Sequence, residues 1–170
     1  MRILITGATG LVGKSISAML RKKDIDVHYL TTRKRKLQQT EKSKGFYWNP
    51  KKGEIDTACF EKVDVIINLA GSTIFQKWNS RNKKAIVDSR IKSLELLFSN
   101  LKKIPNQVKQ IVSASAIGIY PDSHQQMFFE GEKKISPTFL GNVVTQWESA
   151  ADKFSELGLK VTKLRTGIVL

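Results

Sequence analysis

Cysteine is nearly absent from this chain: Cys59 stands alone among 170 residues, so no internal disulfide can form. The two histidines, His28 and His124, lie far apart with no second thiol nearby, so no Cys/His cluster has zinc-site spacing and no metal site is expected. No apolar run approaches the ~20 residues that cross a bilayer, and the first apolar stretch, RILITGATGLVG, breaks into a glycine turn where a secretory signal would continue. A cytoplasmic, reduced setting with no membrane partner is the expectation. Acidic residues are also short, 15 against 29 basic ones, for a net charge of +14. Such an excess suits nucleic acid, an acidic surface or a phosphate-rich small molecule, and selects none of them by itself. Apolar residues, at 41%, suffice for one core of ordinary size without staples.

Hydrophobic periodicity orders the chain. RILIT at 2–6 reads as a strand, and the KSISAMLRKK that follows the glycines as a helix with a stripe of Ile16, Met19 and Leu20. DVHYLTTR at Asp26–Arg33 predicts a second strand, RKRKLQQTEKSKG a solvated loop or short helix, and FYWNP a third strand stopped by Pro50. VDVIINLAG at Val63–Gly71 is the near-continuous aliphatic run of a strand covered on both faces. A long helix is predicted over Ser80–Leu101, a strand and exit loop over Val108–Tyr120, a helix over Phe139–Leu157 with Trp147 in its core stripe and Glu148 at its edge, and a last strand from Leu159. Strands alternating with helices predict a doubly wound, Rossmann-like parallel sheet. Residues 1–170 read as one domain, expected to be the amino-terminal part of a longer protein.

Gly7, Gly10 and Gly13 fall between the first strand and the first helix, where missing side chains permit a tight turn, close pyrophosphate approach and close helix packing. Thr9, Leu11 and Val12 complete this turn, whose backbone N–H groups at the helix start form an anion site. The usual reader of NAD at the end of the second strand is acidic, whereas a basic group accommodates the extra phosphate of NADP. Here the segment is TTRKRK, with Thr32 and Arg33 at the reading position, so NADP is preferred to NAD. Leu69, Ala70 and Gly71 end the fourth predicted strand on the side where such sheets bind ligands, with Ala70 and Gly71 small enough for close approach. SASAIGIY brings Ser113, Ser115 and Tyr120 to the next strand end, near the expected nicotinamide. A serine hydroxyl can orient a substrate oxygen and a phenol can exchange a proton during carbonyl reduction or alcohol oxidation, although both residue types also serve packing and backbone satisfaction.

Taken in order, GATGLVG (Gly7–Gly13), NLAG (Asn68–Gly71), SRIKSLELL (Ser89–Leu97), SASAIGIY (Ser113–Tyr120), WESAA (Trp147–Ala151) and LRTGIVL (Leu164–Leu170) resemble the extended short-chain dehydrogenase/reductase superfamily. The resemblance is to its atypical NAD-dependent epimerase/dehydratase-like branch. It implies a nucleotide-binding lobe followed by a smaller substrate lobe, most of which would lie beyond Leu170, with the reaction in the cleft between. It also implies that Ser115 is the catalytic serine, and that a tyrosine and a lysine four residues apart belong on the helix at 139–148. Leu140 and Val144 occupy those places, and Phe139 and Val143 offer no substitute in the neighbouring register. Tyr120, in the strand-exit loop, is the remaining candidate proton donor.

Two functional classes follow, and a third draws on charge. The leading one is an NADP-dependent oxidoreductase or epimerase-like enzyme acting on a small polar substrate, a nucleotide sugar among the options. The second is an NADP-binding sensor or interaction protein with little or no catalysis, which Leu140 and Val144 favour. The third, a basic nucleic-acid-binding protein, has no zinc finger, RNP-type aromatic pattern or recognition helix behind it, and no specific nucleic acid is expected. Monomer and homodimer remain equally open.

Overall fold

The aliphatic run at the amino terminus forms β1 (Arg2–Thr6), and the glycines after it turn the chain into α1 (Leu11–Lys22). β2 (Asp26–Thr31) lies parallel beside β1, and a helical turn at Lys34–Lys36 and the two-residue β3 (Gln39–Thr40) lead to β4 (Ser43–Asn49) and β5 (Glu54–Ile55). A helical turn at Thr57–Phe60 precedes β6 (Val65–Asn68), α2 (Ser80–Leu101) and β7 (Gln110–Ala116). A turn at Ile117–Ile119, α3 (Phe139–Asp152), a further turn at Lys153–Leu157 and β8 (Lys160–Thr166) complete the order. This computed structural model describes residues 1–169; Leu170, the last residue of the LRTGIVL segment, lies outside them.

The strands form one mostly parallel mixed sheet in the order β3-β4-β2-β1-β6-β7-β8, with β5 attached to β4. Only the β3 and β5 pairings with β4 are antiparallel. One face buries Ile3, Ile5 and Val27 against Leu20 of α1, and the other buries Leu4, Leu30, Ile66 and Ile111 against Leu94 and Leu97 of α2 and Trp147 and Ala151 of α3. The chain first builds outward from β1 through β2 to β4, then returns to the opposite side of β1 with β6. The β1/β6 boundary is therefore the topological switch point, where open sheets of this kind bind ligands.

The predicted doubly wound sheet is present, and the helix over Ser80–Leu101 has the predicted limits. Other details differ for physical reasons. Met19 is half exposed, because α1 turns Gly13, Ser17 and Leu20 to the sheet; the two small residues, not a large apolar one, let the helix close on β1. The second strand stops at Thr31, short of Arg33, and the strand predicted over Val63–Gly71 contracts to Val65–Asn68. The third begins earlier than FYWNP, at Ser43. In keeping with the solvated loop or short helix expected there, no α-helix joins β2 to β4. The polar run between them carries no apolar stripe to bury, and the Tyr29 ring lies where packing would be needed: a Cβ on Gly45 would come within 2.5 Å of it. The helix predicted to reach Leu157 ends at Asp152 and tightens into the following turn, which closes on left-handed Gly158.

Candidate functional site

At the switch point, the glycine turn is shaped by two close approaches. Gly7 has φ +69, and a Cβ there would stand 2.7 Å from the Leu69 carbonyl oxygen. A Cβ on Gly13 would collide with the Gly7 carbonyl oxygen, so α1 can start this close to β1 only with glycine at both places. Gly10 caps α1 without a side chain, and no carboxylate lies in the first turn. The other two long helices are closed differently: Asn79 accepts from the Asn82 N–H at the start of α2, and Thr138 accepts from the Gly141 N–H at the start of α3. The N–H groups that open α1 thus have no capping side chain and face the site. Leu11, 65% exposed, and Val12 flank them.

Thr6, the polar residue that ends the apolar β1, binds the two sides of the switch point together. Its hydroxyl donates to Asn68 Oδ1 at 2.7 Å and accepts from the Leu69 and Ala70 N–H groups, both at 3.0 Å. Asn68 Nδ2 in turn donates to Ser113 Oγ at 3.2 Å, and Ser113 donates to the Ala114 carbonyl. Thr6, Asn68 and Ser113 are in register across β1, β6 and β7 and all buried. Arg90 holds the loop after β6, donating to the Ser72 and Ile86 carbonyls, with its guanidinium 4.9 Å from the Trp147 ring centre and against Gly71.

A second polar cluster occupies the ends of β7 and β8 beneath α3. Ser115 Oγ donates to Glu148 Oε1 at 2.5 Å, and Arg165 clamps the same carboxylate with Nε and Nη2, both at 2.9 Å. Arg165 Nη1 reaches Tyr120 Oη at 2.7 Å and the Glu130 carbonyl at 3.0 Å. Ser115 and Arg165 are opposite one another in the β7/β8 register, and both therefore face α3. Burial works to raise the Glu148 carboxyl, but the hydrogen bonds from Arg165 and Ser115, with the charges of Arg165 and Lys163, bring it below its ordinary value. The same carboxylate raises Arg165. Glu148, expected at the helix edge, is only 7% exposed, because Arg165 offers it a bidentate partner inside.

The structure gathers Gly7, Thr9, Gly10, Leu11, Val12, Gly13, Leu69, Ala70 and Gly71 around the switch point, with Thr32 and Arg33 exposed just past the end of β2. Ser113 is buried with its hydroxyl engaged, and Ser115 and Tyr120 are linked through Glu148 and Arg165. Leu140 lies beside Gly118 and Val144 is buried, on the α3 face that ends at Glu148. The sequence assigns no role to Thr6 or Arg165 and puts Glu148 only at the edge of its helix. The readable signals were a hydroxyl terminating an aliphatic strand, and a glutamate in four-residue steps from Leu140 and Val144.

The chain matches the NAD dependent epimerase/dehydratase family over residues 3–142. It belongs to that family. An epimerase family protein of Staphylococcus aureus strain NCTC 8325 is 35% identical over 167 residues, which are 98% of this chain and 55% of the relative. One from Staphylococcus epidermidis is 32% identical over 169 residues, 99% of this chain and 55% of the relative. The chain thus spans about half the length of these epimerase relatives. Among solved structures, a human epimerase family protein crystallised with NADPH superposes with TM-score 0.79 at 24% identity, covering 100% of this chain and 55% of that one. A nucleoside-diphosphate sugar epimerase from Corynebacterium glutamicum gives 0.80 at 27% identity, covering 100% of this chain and 34% of that one.

Proposed function

We propose that this chain is the dinucleotide-binding part of an NADP-dependent, epimerase-like oxidoreductase of the cytoplasm, acting on a small polar substrate of the nucleotide-sugar kind. The observation that carries the reading is the start of α1, where Gly10 supplies no side-chain cap and no carboxylate lies in the first turn, beside a Leu69–Gly71 loop whose Leu69 and Ala70 N–H groups are held from behind by the Thr6 hydroxyl. The N–H groups of Leu11, Val12 and Gly13 would hold the pyrophosphate, and Leu11 and Val12 would be covered by the bound molecule. Arg33, with no carboxylate at the end of β2, would meet the 2′-phosphate and favour NADP over NAD. A bound nicotinamide supplies the hydride exchange at the alcohol or carbonyl carbon of the substrate. Tyr120 accepts from Arg165, which leaves its own proton for a substrate oxygen, while Ser115, donating to Glu148, keeps lone pairs with which to accept from a substrate hydroxyl. The relatives support this reading through their names and, in the human protein, through NADPH.

Titrating the protein with both dinucleotides tests it. NADPH should bind about tenfold or more tightly than NADH, with Arg33→Ala removing most of the difference. Tighter NADH binding would overturn the preference. A second reading, an NADP-binding sensor without turnover, draws on Leu140 and Val144 and on the engagement of Ser115 by Glu148. Reduction of bound NADP by any member of an alcohol panel would reject it.

A further inference from the structure

The missing helix between β2 and β4 leaves a groove of about 700 Å³ beside α1. One wall is α1 itself, where Lys14, Ser17 and Arg21 share a face, and the other is the 35–43 segment, which contributes Arg35 and Lys36. Four cations line this groove and no carboxylate does. Ion pairs among the described residues engage Arg2, Lys42, Lys84, Lys92, Lys163 and Arg165, and none of the four groove cations.

The second wall is held in place. Tyr29 lies on the groove floor over Gly45 and donates to the Lys36 carbonyl at 2.8 Å, while the Gln38 N–H donates to its oxygen at 3.0 Å. These bonds fix the backbone that carries Arg35 and Lys36 opposite α1. Ser17, Thr40 and Ser43 add hydroxyls to the lining, so hydroxyl donors and four cations can meet phosphate oxygens there. Ala8 and Thr9 of the glycine turn line one part of it, and Arg33 is not among its lining residues.

We infer that this groove is a second anion site, meeting the dinucleotide site at Thr9 but separate from it, that takes a compact polyphosphate-bearing small molecule. The inference builds on the proposed dinucleotide site only in calling the groove separate from it. Inorganic tripolyphosphate is the probe, titrated calorimetrically at fixed ionic strength into the protein at its full natural length. Saturable one-to-one binding is expected, weakened about tenfold or more by the double variant Arg21→Gln/Lys36→Gln. The charge-matched control Lys51→Gln/Lys52→Gln, on an exposed turn, should leave it unchanged. NADPH binding should survive the groove variant, and Arg33→Gln should leave tripolyphosphate binding intact. Non-saturable binding, an equal loss in the control, or competition between tripolyphosphate and NADPH would each overturn the inference. Failure of NADPH to respond to Arg33→Gln while the groove responses hold would count against the NADP preference alone.

Discussion

At the carboxyl ends of β1 and β6, backbone donors are left facing outward: α1 opens on Gly10 with no side-chain cap, and the adjoining loop is held from behind by Thr6 and Arg90. One strand pair away, at the ends of β7 and β8, Ser115, Glu148, Arg165 and Tyr120 close on one another and leave few polar atoms unengaged. The first region presents helix-start N–H groups that no side chain caps. The second is braced as it stands, and chemistry there must work through atoms already hydrogen-bonded. Recognition by backbone N–H groups needs only the turn to be kept, whereas side-chain chemistry needs particular residues. The contrast sets a glycine turn with unbroken GxxGxxG spacing against a helix that carries Leu140 and Val144 where the resemblance implies a tyrosine and a lysine.

Breaking the braced region should have the largest effect on stability. Glu148→Ala would leave the Arg165 guanidinium and the Ser115 hydroxyl without their buried acceptor, a loss of about 3–5 kcal/mol by the precedent of broken buried pairs. Urea unfolding measures it. If the two regions are as separate as their hydrogen bonding suggests, NADPH affinity of the folded variant changes little; a parallel loss would show that the brace also shapes the dinucleotide site.

Gly7→Ala attacks the open region instead. It places a side chain at φ +69 and against the Leu69 carbonyl, at a cost of about 2–3 kcal/mol, and displaces the loop that should face the dinucleotide. Here NADPH binding should fall together with stability, the opposite pattern to Glu148→Ala. Thr6→Val is subtler, with a loss of about 2 kcal/mol, since it keeps the shape but removes the donor to Asn68 and the acceptor of the Ala70 N–H. Thr6→Ser should restore both stability and NADPH affinity, and failure to do so would mean that methyl packing, not the hydroxyl, ties the switch point.

The contrast also explains what was legible in the sequence. The sheet, the glycine turn and the limits of α2 follow from local patterns of apolar residues and glycines, which act over a few positions. Burial of Glu148 depends on Arg165 from β8, and spacing within α3 says only that one face continues from Leu140 through Val144. The basic run at Arg33–Lys36 was visible, but not that Tyr29 would fold it into a wall opposite α1, because a bond from a phenol to a distant carbonyl leaves no periodic trace. The lack of a long crossover helix was legible, because the polar segment carries no apolar stripe and reads as a loop or a short helix.

Acid should separate the braced cluster from the rest of the sheet by a smaller effect. His28 is buried beside Phe46, with Nδ1 2.8 Å from the Cys59 carbonyl, and burial lowers its pKa below 6.5 against the opposing pull of that hydrogen bond. Glu148 is also held below its ordinary value of 4.5. Both depressed groups have the same sign: the unfolded chain takes up a proton before the folded one, so stability falls as pH falls. The windows differ, however. Loss from His28 begins as pH drops through 6.5, while the Glu148 contribution holds down to about 4.5 and is lost below it as the folded carboxyl titrates. Each group can contribute a slope of at most about 1.4 kcal/mol per pH unit. His28→Gln should therefore flatten the stability profile just below pH 6.5 and leave the drop below 4.5 in place. Denaturant midpoints measured across that range provide the check, and a slope below 6.5 that persists in His28→Gln would assign the proton uptake elsewhere.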